Sequence, residues 1–364
     1  MQKQEETLGH LRVLFITSLA PNQFGVYRLG ALRRIGLEHV AAFDRDNYSA
    51  PGILGKVQFR LQVGPEVSRF NRDLLAAAQR ERVQIAIVDK ALQLRPETLR
   101  RLRQSGVFCI DFVIDDPLGP RNDPGWRLYR RTIHEFDLTG VQRDVNLEEY
   151  RKAGAPEVVR IQTSFERTVH YAPDAGWSDE RRDRRVSFIG TPYDNRADFL
   201  TRLWRAGAPV DISGSRSHWQ AALPADAFAA TFRVGELIGE AYREAIWRSR
   251  INLAFVTRSN RDQVAQKAFE ITACGGFLLA ERTPEHTACF REDEEAVFFS
   301  DFDECRGKIE RYLNDEPARA AIAEAGQRRA WTSGYDNDSV LRKLLGKAAE
   351  LLAARKREQL GRGL

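Results

Sequence analysis

The side chains best placed to do chemistry lie in RDQVAQKAFEITACGGFLL, Arg261 to Leu279. Val264, Ala268 and Ile271 recur at i, i+4 and i+7, which puts them on one face of a helix, and Gly275 and Gly276 stop it. Gln263, Gln266, Lys267 and Glu270 share the opposite side. Such a helix, starting just after the loop Thr257 to Asp262, presents unpaired N–H groups and its positive dipole end there, a ready site for a phosphate. A second group, Asp115 and Asp116 in FVIDDP, ends a strand-like run. A carboxylate so placed can bind hydroxyls or act as general base, and it can equally cap the turn before Pro117. No Gly-x-Gly-x-x-Gly follows a strand, and neither a Walker-type loop nor a Gly-x-Ser-x-Gly elbow occurs. Standard nicotinamide, P-loop and serine-hydrolase chemistry are therefore disfavoured.

The elements that must position these groups alternate between strand and helix. Strands are expected at Leu11 to Thr17, His39 to Phe43, Val83 to Val88, Val107 to Ile114 and Phe136 to Gly140, with helices at Val26 to Ile35, Val67 to Arg82, Pro96 to Gln104 and Gly125 to Ile133. After Tyr171 the charge-dense run APDAGWSDERRDRR interrupts the pattern. Strands then resume at Val186 to Gly190, Pro209 to Ser213, Arg250 to Phe255, Phe277 to Ala280 and Ala296 to Ser300. Helices fall at Ala197 to Arg205, Gly239 to Ser249, Val264 to Ala273, Phe302 to Asn314 and Pro317 to Trp331, and Ser339 to Arg357 reads as a terminal helix with a basic tail. Two doubly wound α/β domains in series account for this order, each with a ligand crevice at the carboxyl ends of its parallel strands. The boundaries expected are 1–172, a linker at 173–185, 186–338, and a terminal helix at 339–364.

Composition sets the class. At about 150 residues per domain, 364 residues suit two domains, and 43% apolar with 29% charged residues suit a soluble chain with full cores. No apolar run reaches membrane-spanning length and MQKQEETLGH is no secretory signal, so a cytoplasmic protein is expected. Cys109, Cys274, Cys289 and Cys305 form no Cys-x-x-Cys pair and read as free thiols. The histidines stand at no metal-ligand spacing, so no zinc is expected. The net charge of +5 suits an anionic substrate, a nucleic acid or peripheral contact with an acidic membrane about equally.

The block from Lys267 to Ala330 resembles the donor domain of two-domain GT-B glycosyltransferases, in particular the spore-maturation CgeB type. The residues that carry the resemblance are a Phe-Glu helix ending in Ala-Cys-Gly, an apolar strand, a Phe-x-x-x-x-Glu-Ala-Val stretch, and a helix leading to Tyr-Leu. VSFIGTPYDNRADFL, FVIDDP and NLEEYRKAGAPEVVRIQ are also similar to family segments. The resemblance implies two Rossmann-like domains facing each other across a cleft. It further implies transfer of a sugar from a nucleotide-sugar donor, a UDP-sugar by expectation, to a hydroxyl acceptor without a metal or added cofactor. Related retaining enzymes carry a Glu-x7-Glu element whose second carboxylate binds ribose and whose first contacts the donor sugar. Glu270 matches the second position and Asp262, one methylene shorter, stands at the first. Glu270 could alternatively form an exposed i, i+3 ion pair with Lys267. On the ribose reading Glu270→Ala abolishes nucleotide binding and barely moves the melting temperature, whereas a large loss of stability would favour a packing role.

Charge growing on the leaving diphosphate needs cations or N–H groups. Arg196 and Lys267 are the first candidates, Arg258 and Arg261 the reserves, and Gly190 and Thr191 offer backbone N–H groups at a turn. On the other domain, Asp115 or Asp116 would be general base or hydroxyl ligand, with the Asn22 to Gly25 loop where donor meets acceptor. His286 could touch the donor, and a plain helix start is the alternative. A nucleotide-sugar epimerase or phosphorylase and a non-catalytic nucleotide-sugar scaffold are the rival readings. A nucleic-acid acceptor is the weaker partner, because no Lys/Arg stripe with interleaved aromatics occurs. Donor sugar, acceptor identity, stereochemistry and oligomeric state are not specified by these residues.

Overall fold

The computed structural model describes residues 9–361 except positions 22, 122, 175 and 177. Asn22 of the first loop, Ala175 and Trp177 of the expected linker, and the terminal stretches 1–8 and 362–364 lie outside the described residues. The chain divides into two compact units, 1–162 with 337–364, and 163–336.

In the first unit, strands β1 (Arg12–Thr17), β2 (His39–Asp44), β3 (Ile85–Val88), β4 (Phe108–Val113), β5 (Leu138–Val141) and β6 (Val158–Arg160) form one sheet in the order β2-β1-β3-β4-β5-β6. Every pairing is parallel. A parallel sheet is covered on both faces, which is why its inner strands read as unbroken apolar runs such as VLFI and IAIV. On one face Val13, Phe15, Ile85, Ile87 and Ile110 pack with Leu29 and Leu32 of the helix Phe24–Arg34 and with Leu341, Leu344 and Leu345 of the helix Asn337–Gly361. On the other, Leu14, Ile16, Ala86 and Val88 meet Phe70 and Leu74 of the helix Pro65–Arg80 and Leu99 of the helix Pro96–Gln104. The alternation of neighbours along β1 is the two-residue period of a strand.

The second unit repeats the plan. Strands β7 (Arg184–Ile189), β8 (Val210–Ser213), β9 (Phe232–Val234), β10 (Ser249–Ala254), β11 (Leu278–Glu281) and β12 (Val297–Phe299) run parallel in the order β12-β11-β10-β7-β8-β9. Val186, Phe188, Ile251, Leu253 and Leu279 pack against Leu200 and Leu203 on one face. Ala254, Leu278 and Ala280 pack against Ala268 and Phe269 on the other.

Three of the expected assignments differ. The division falls at 162/163, ahead of 172, because Phe165 joins the core around Phe269 and Arg243 Nη1 donates to Val169 O at 2.8 Å. The charge-dense run also belongs to the second unit: Arg319 Nη2 donates to Asp179 Oδ1 at 2.5 Å and Arg182 Nη1 to Trp247 O at 2.7 Å. The terminal helix, expected as a separate piece, completes the core of the first unit.

Candidate functional site

From one edge, the second sheet reads 3-2-1-4-5-6, so the chain reverses direction across the sheet between β7 and β10. Ligands of such sheets bind outside the carboxyl ends of the strands at that reversal. Gly190 and Thr191 follow β7, and the loop Thr257 to Asp262 follows β10. Arg196, at the start of the helix Arg196–Arg205, joins the two: its Nη1 donates to Thr191 O at 3.2 Å, and its Nη2 to Phe255 O at 3.2 Å, Val256 O at 3.1 Å and Thr257 Oγ1 at 2.9 Å. The guanidinium is buried, and that burial lowers its pKa. Expected as a phosphate cation, Arg196 thus braces the loops that a phosphate would approach.

Gly190 is committed as well. Its N–H donates to Ser213 O at 2.9 Å and its carbonyl accepts Trp219 Nε1 at 2.8 Å. The Gly190 carbonyl lies 2.1 Å from where a Cβ of Gly214 would stand, at φ +153°, so Gly214 has to be glycine. Arg258 N–H donates to Asp194 Oδ2 at 2.8 Å and its Nη2 to Glu281 Oε1 at 3.0 Å, leaving most of the side chain exposed. Arg261 sits in the left-handed region at φ 49°, and Asp262 Oδ1 accepts Asn260 Nδ2 at 2.9 Å.

The helix beyond that loop spans Gln266–Ala273, two residues shorter at its start than its apolar period suggests, because Ala265 is the extended N-cap residue. The side chain of that N-cap residue does not cap it, and the first N–H groups of a helix have no carbonyl of a preceding turn to reach. Val264, Ala268 and Ile271 are buried as their spacing requires. Its position is set by His286, whose Nε2 accepts the Ala265 N–H at 3.0 Å and whose Nδ1 faces Glu281 O at 2.7 Å, so the proton lies on Nδ1. Burial pulls this imidazole down to a pKa of about 4, and it stays neutral at physiological pH. His286 therefore holds the helix in place and, at 0% exposure, is walled off from any ligand.

Glu270 is 5% exposed, unlike the solvated ion pair its spacing from Lys267 also allowed. Tyr242 Oη donates to its Oε2 at 2.6 Å and Gln266 Nε2 to its Oε1 at 3.0 Å, while Lys267 Nζ stands 4.0 Å from Oε2. Burial pushes the carboxyl up, but the neighbouring His170 imidazole, the Lys267 ammonium and the bonds from Tyr242 and Gln266 outweigh it and hold the pKa below the ordinary value. Lys267 donates to Tyr242 Oη at 3.3 Å over the Tyr242 ring, and its Cε lies 3.4 Å from a Cβ placed on Gly190. Burial, reinforced by Arg196, lowers the ammonium pKa against the pull of Glu270. An ionised buried carboxylate, a partly exposed ammonium and a helix start thus converge beside the turn after β7. They can accept two hydroxyls and meet an anion.

Tyr242 and His170 escape a reading by spacing. His170 Nδ1 accepts the Glu166 N–H at 3.0 Å and its ring stands 5.9 Å from that of Tyr242. Both lie far from Glu270 in sequence, and neither sits in a motif, so only packing unites them.

In the first unit, Asp115 and Asp116 end β4, and they differ. Asp115 is 31% exposed and its Oδ2 lies 2.6 Å from Lys90 Nζ, while its carbonyl accepts Arg143 Nη1 at 2.9 Å. Asp116 is buried with its Oδ1 accepting Asn146 Nδ2 at 3.0 Å. Deeper on β4, Asp111 accepts Tyr129 Oη at 2.5 Å, and burial raises its pKa to about 8. The four cysteines are free and buried. No helix among the described residues is long and apolar enough to cross a membrane.

Residues 184–346 match the family described as Glycosyl transferase-like. HepE of Anabaena, solved with UDP and glucose, aligns at a TM-score of 0.65 and 12% identity over 93% of this chain and 100% of its own. Sucrose-phosphate synthase of Thermosynechococcus elongatus aligns at 0.64 and 14% identity over 98% of this chain and 100% of its own. A glycosyltransferase of Rickettsia africae aligns at 0.60 and 10% identity over 94% and 99%. Among curated proteins none matches the sequence. At these identities the structural likenesses speak for the fold, and with its two six-stranded parallel sheets the chain has the GT-B fold.

Proposed function

We propose that this protein is a glycosyltransferase of the CgeB type that moves a hexose from a UDP-sugar to a hydroxyl acceptor. The observation that carries the reading is Glu270: a carboxylate buried yet held ionised at the switch point of the second sheet, with Lys267 beside it. Two ribose hydroxyls donating to such a carboxylate form charge-assisted hydrogen bonds, the strong kind. The diphosphate then lies toward Lys267, the Thr191 backbone and the start of the helix Gln266–Ala273, with Arg258 and Arg261 at the loop edge. Asp262 is assigned to the donor sugar. That HepE is solved with UDP and with UDP-glucose favours uridine as the base.

In the reaction, the bond from the anomeric carbon to the β-phosphate oxygen breaks and UDP leaves with the electron pair. The acceptor oxygen bonds to that carbon and its proton passes to a base. Asp115 is assigned this role over Asp116, since it is the one with exposed surface. Lys267 and the helix N-terminus supply the positive charge that the departing diphosphate needs, so transfer proceeds without a metal. Calorimetric titration of the full chain with UDP, UDP-sugars, GDP-sugars and dTDP-sugars, in EDTA, tests the reading. Selective binding of the uridine compounds is expected, and a folded protein that binds none of them overturns it.

A further inference from the structure

In the first unit the helix Gly52–Leu61 has no buried residue. One side of it faces the protein. A Cβ on Gly55 would meet Ala50 O at 2.1 Å, Gln58 Nε2 donates to Tyr48 O at 2.8 Å, and the Phe59 ring covers Gly125. At 3.6 residues per turn, Ile53, Leu54, Val57 and Leu61 share the opposite side. They are 79%, 68%, 45% and 48% exposed. With Phe59 and Val63 they make six of the twelve large hydrophobic side chains exposed among the described residues, all within positions 53–63. Single exposed leucines are ordinary, whereas a contiguous stripe marks a contact surface.

Charge identifies what meets it. Lys56 and Arg60, one turn apart, flank the stripe, and neither has an anionic partner among the described residues. Both also line a cavity of about 700 Å³ behind the helix, where the other cations are engaged: Arg45 Nη1 donates to Asp89 O at 3.0 Å, and Lys90 pairs with Asp115. An apolar face with a cationic rim is the pattern of a helix lying in a lipid headgroup layer. A second copy docked on the same stripe with the two helices antiparallel, about a two-fold axis perpendicular to them, would bring the two Lys56–Arg60 rims together, like charge against like. Ten residues are too few to span a bilayer, so the helix lies flat.

We infer that Gly52–Leu61 is a peripheral anchor that seats this protein on an anionic lipid surface, with Ile53, Leu54, Val57 and Leu61 in the acyl boundary and Lys56 and Arg60 among the phosphates. This goes beyond the transferase reading and stands or falls without it. The test is co-sedimentation of the full chain with vesicles of phosphatidylcholine alone and of phosphatidylcholine mixed with phosphatidylglycerol. Preferential binding to the mixed vesicles, weakened by salt, is expected. Lys56→Gln with Arg60→Gln lowers the partition coefficient roughly 30-fold on the mixed vesicles. Ile53→Ser with Val57→Ser lowers it more than about tenfold on both. Circular dichroism and thermal unfolding of each variant check that it is folded, so the outcome does not depend on UDP binding. Absence of binding by the unmodified chain to the mixed vesicles overturns the inference. So does a dimer in solution that Ile53→Ser with Val57→Ser splits, since the stripe then belongs to a second copy.

Discussion

Glu270 carries its charge in a buried place, and this governs what each replacement does. Alanine there leaves Tyr242 Oη without its acceptor and Lys267 without its carboxylate, so it costs about 3 kcal/mol of stability or more. The expectation attached to the ribose reading, that Glu270→Ala leaves the melting temperature almost unmoved, gives way to the burial: Glu270 packs and hydrogen-bonds as well, so the loss of stability it predicts speaks for a structural role, and only a charge-removing variant isolates a binding one. Glu270→Gln separates binding from folding, because the amide oxygen still accepts from Tyr242 while the charge is gone. Its affinity for UDP should fall by about 2 kcal/mol, roughly 30-fold in calorimetry, with a loss of stability smaller than alanine's because the bond from Tyr242 is kept and only the pairing with Lys267 is lost. Undiminished UDP affinity in that variant would remove Glu270 from the ribose site. Around this residue, Glu270 and Lys267 were legible because the polar face of one helix and the motif around it stand together in the chain. Tyr242, His170 and His286 were not, since each acts through space on an element whose own local pattern is complete without it.

At the scale of elements, the helix Gln266–Ala273 owes its placement to a neutral histidine, and that has a pH signature. The folded His286 titrates near 4 against an ordinary 6.5. A depressed histidine pKa means the unfolded chain binds the extra proton first. The stabilisation is therefore complete above pH 6.5 and lost as pH falls toward 4, a change of about 3 kcal/mol. His286→Gln keeps an acceptor for the Ala265 N–H and does not titrate. The stability gap between parent and variant, from urea unfolding at several pH values, should shrink by about that amount between neutrality and pH 4; parallel profiles would show that His286 is not the titrating group. Elements were read from the sequence in proportion to how much they bury. The inner strands of both sheets announce themselves as apolar runs, but the three-residue edge strands β6 and β9 carry too little pattern. The helices Arg216–Ala222, Ala225–Thr231 and Pro284–Cys289 are two turns or less, too short to establish a period. Gly52–Leu61 buries nothing, so it has no inward stripe to detect. The segment expected as one helix from Gly125 to Ile133 breaks into 3-10 turns at Pro124–Trp126 and Ile133–Glu135 around the short helix Arg127–Arg130.

At the scale of the whole molecule, the chain leaves the first unit at 162 and returns to it at 337. The terminal helix is therefore a structural debt of the first sheet, whose core takes in Leu341, Leu344, Leu345 and Ala348. The cores of the second unit draw only on residues 165–335. Each sheet thus has its own hydrophobic stabilisation, and Glu270 belongs to the second. Leu345→Ala opens a cavity in a fully buried layer and should weaken the first unit by about 3 kcal/mol while UDP affinity stays as in the parent. Saturating UDP, at about a hundred times its dissociation constant, should strengthen the second by about 2.7 kcal/mol. Tryptophan reports the difference directly, since five of the six tryptophans fall within 163–336. In Leu345→Ala with UDP, circular dichroism should begin to fall at lower denaturant than tryptophan fluorescence, which follows the liganded unit. Superimposable transitions would mean that the two units unfold as one.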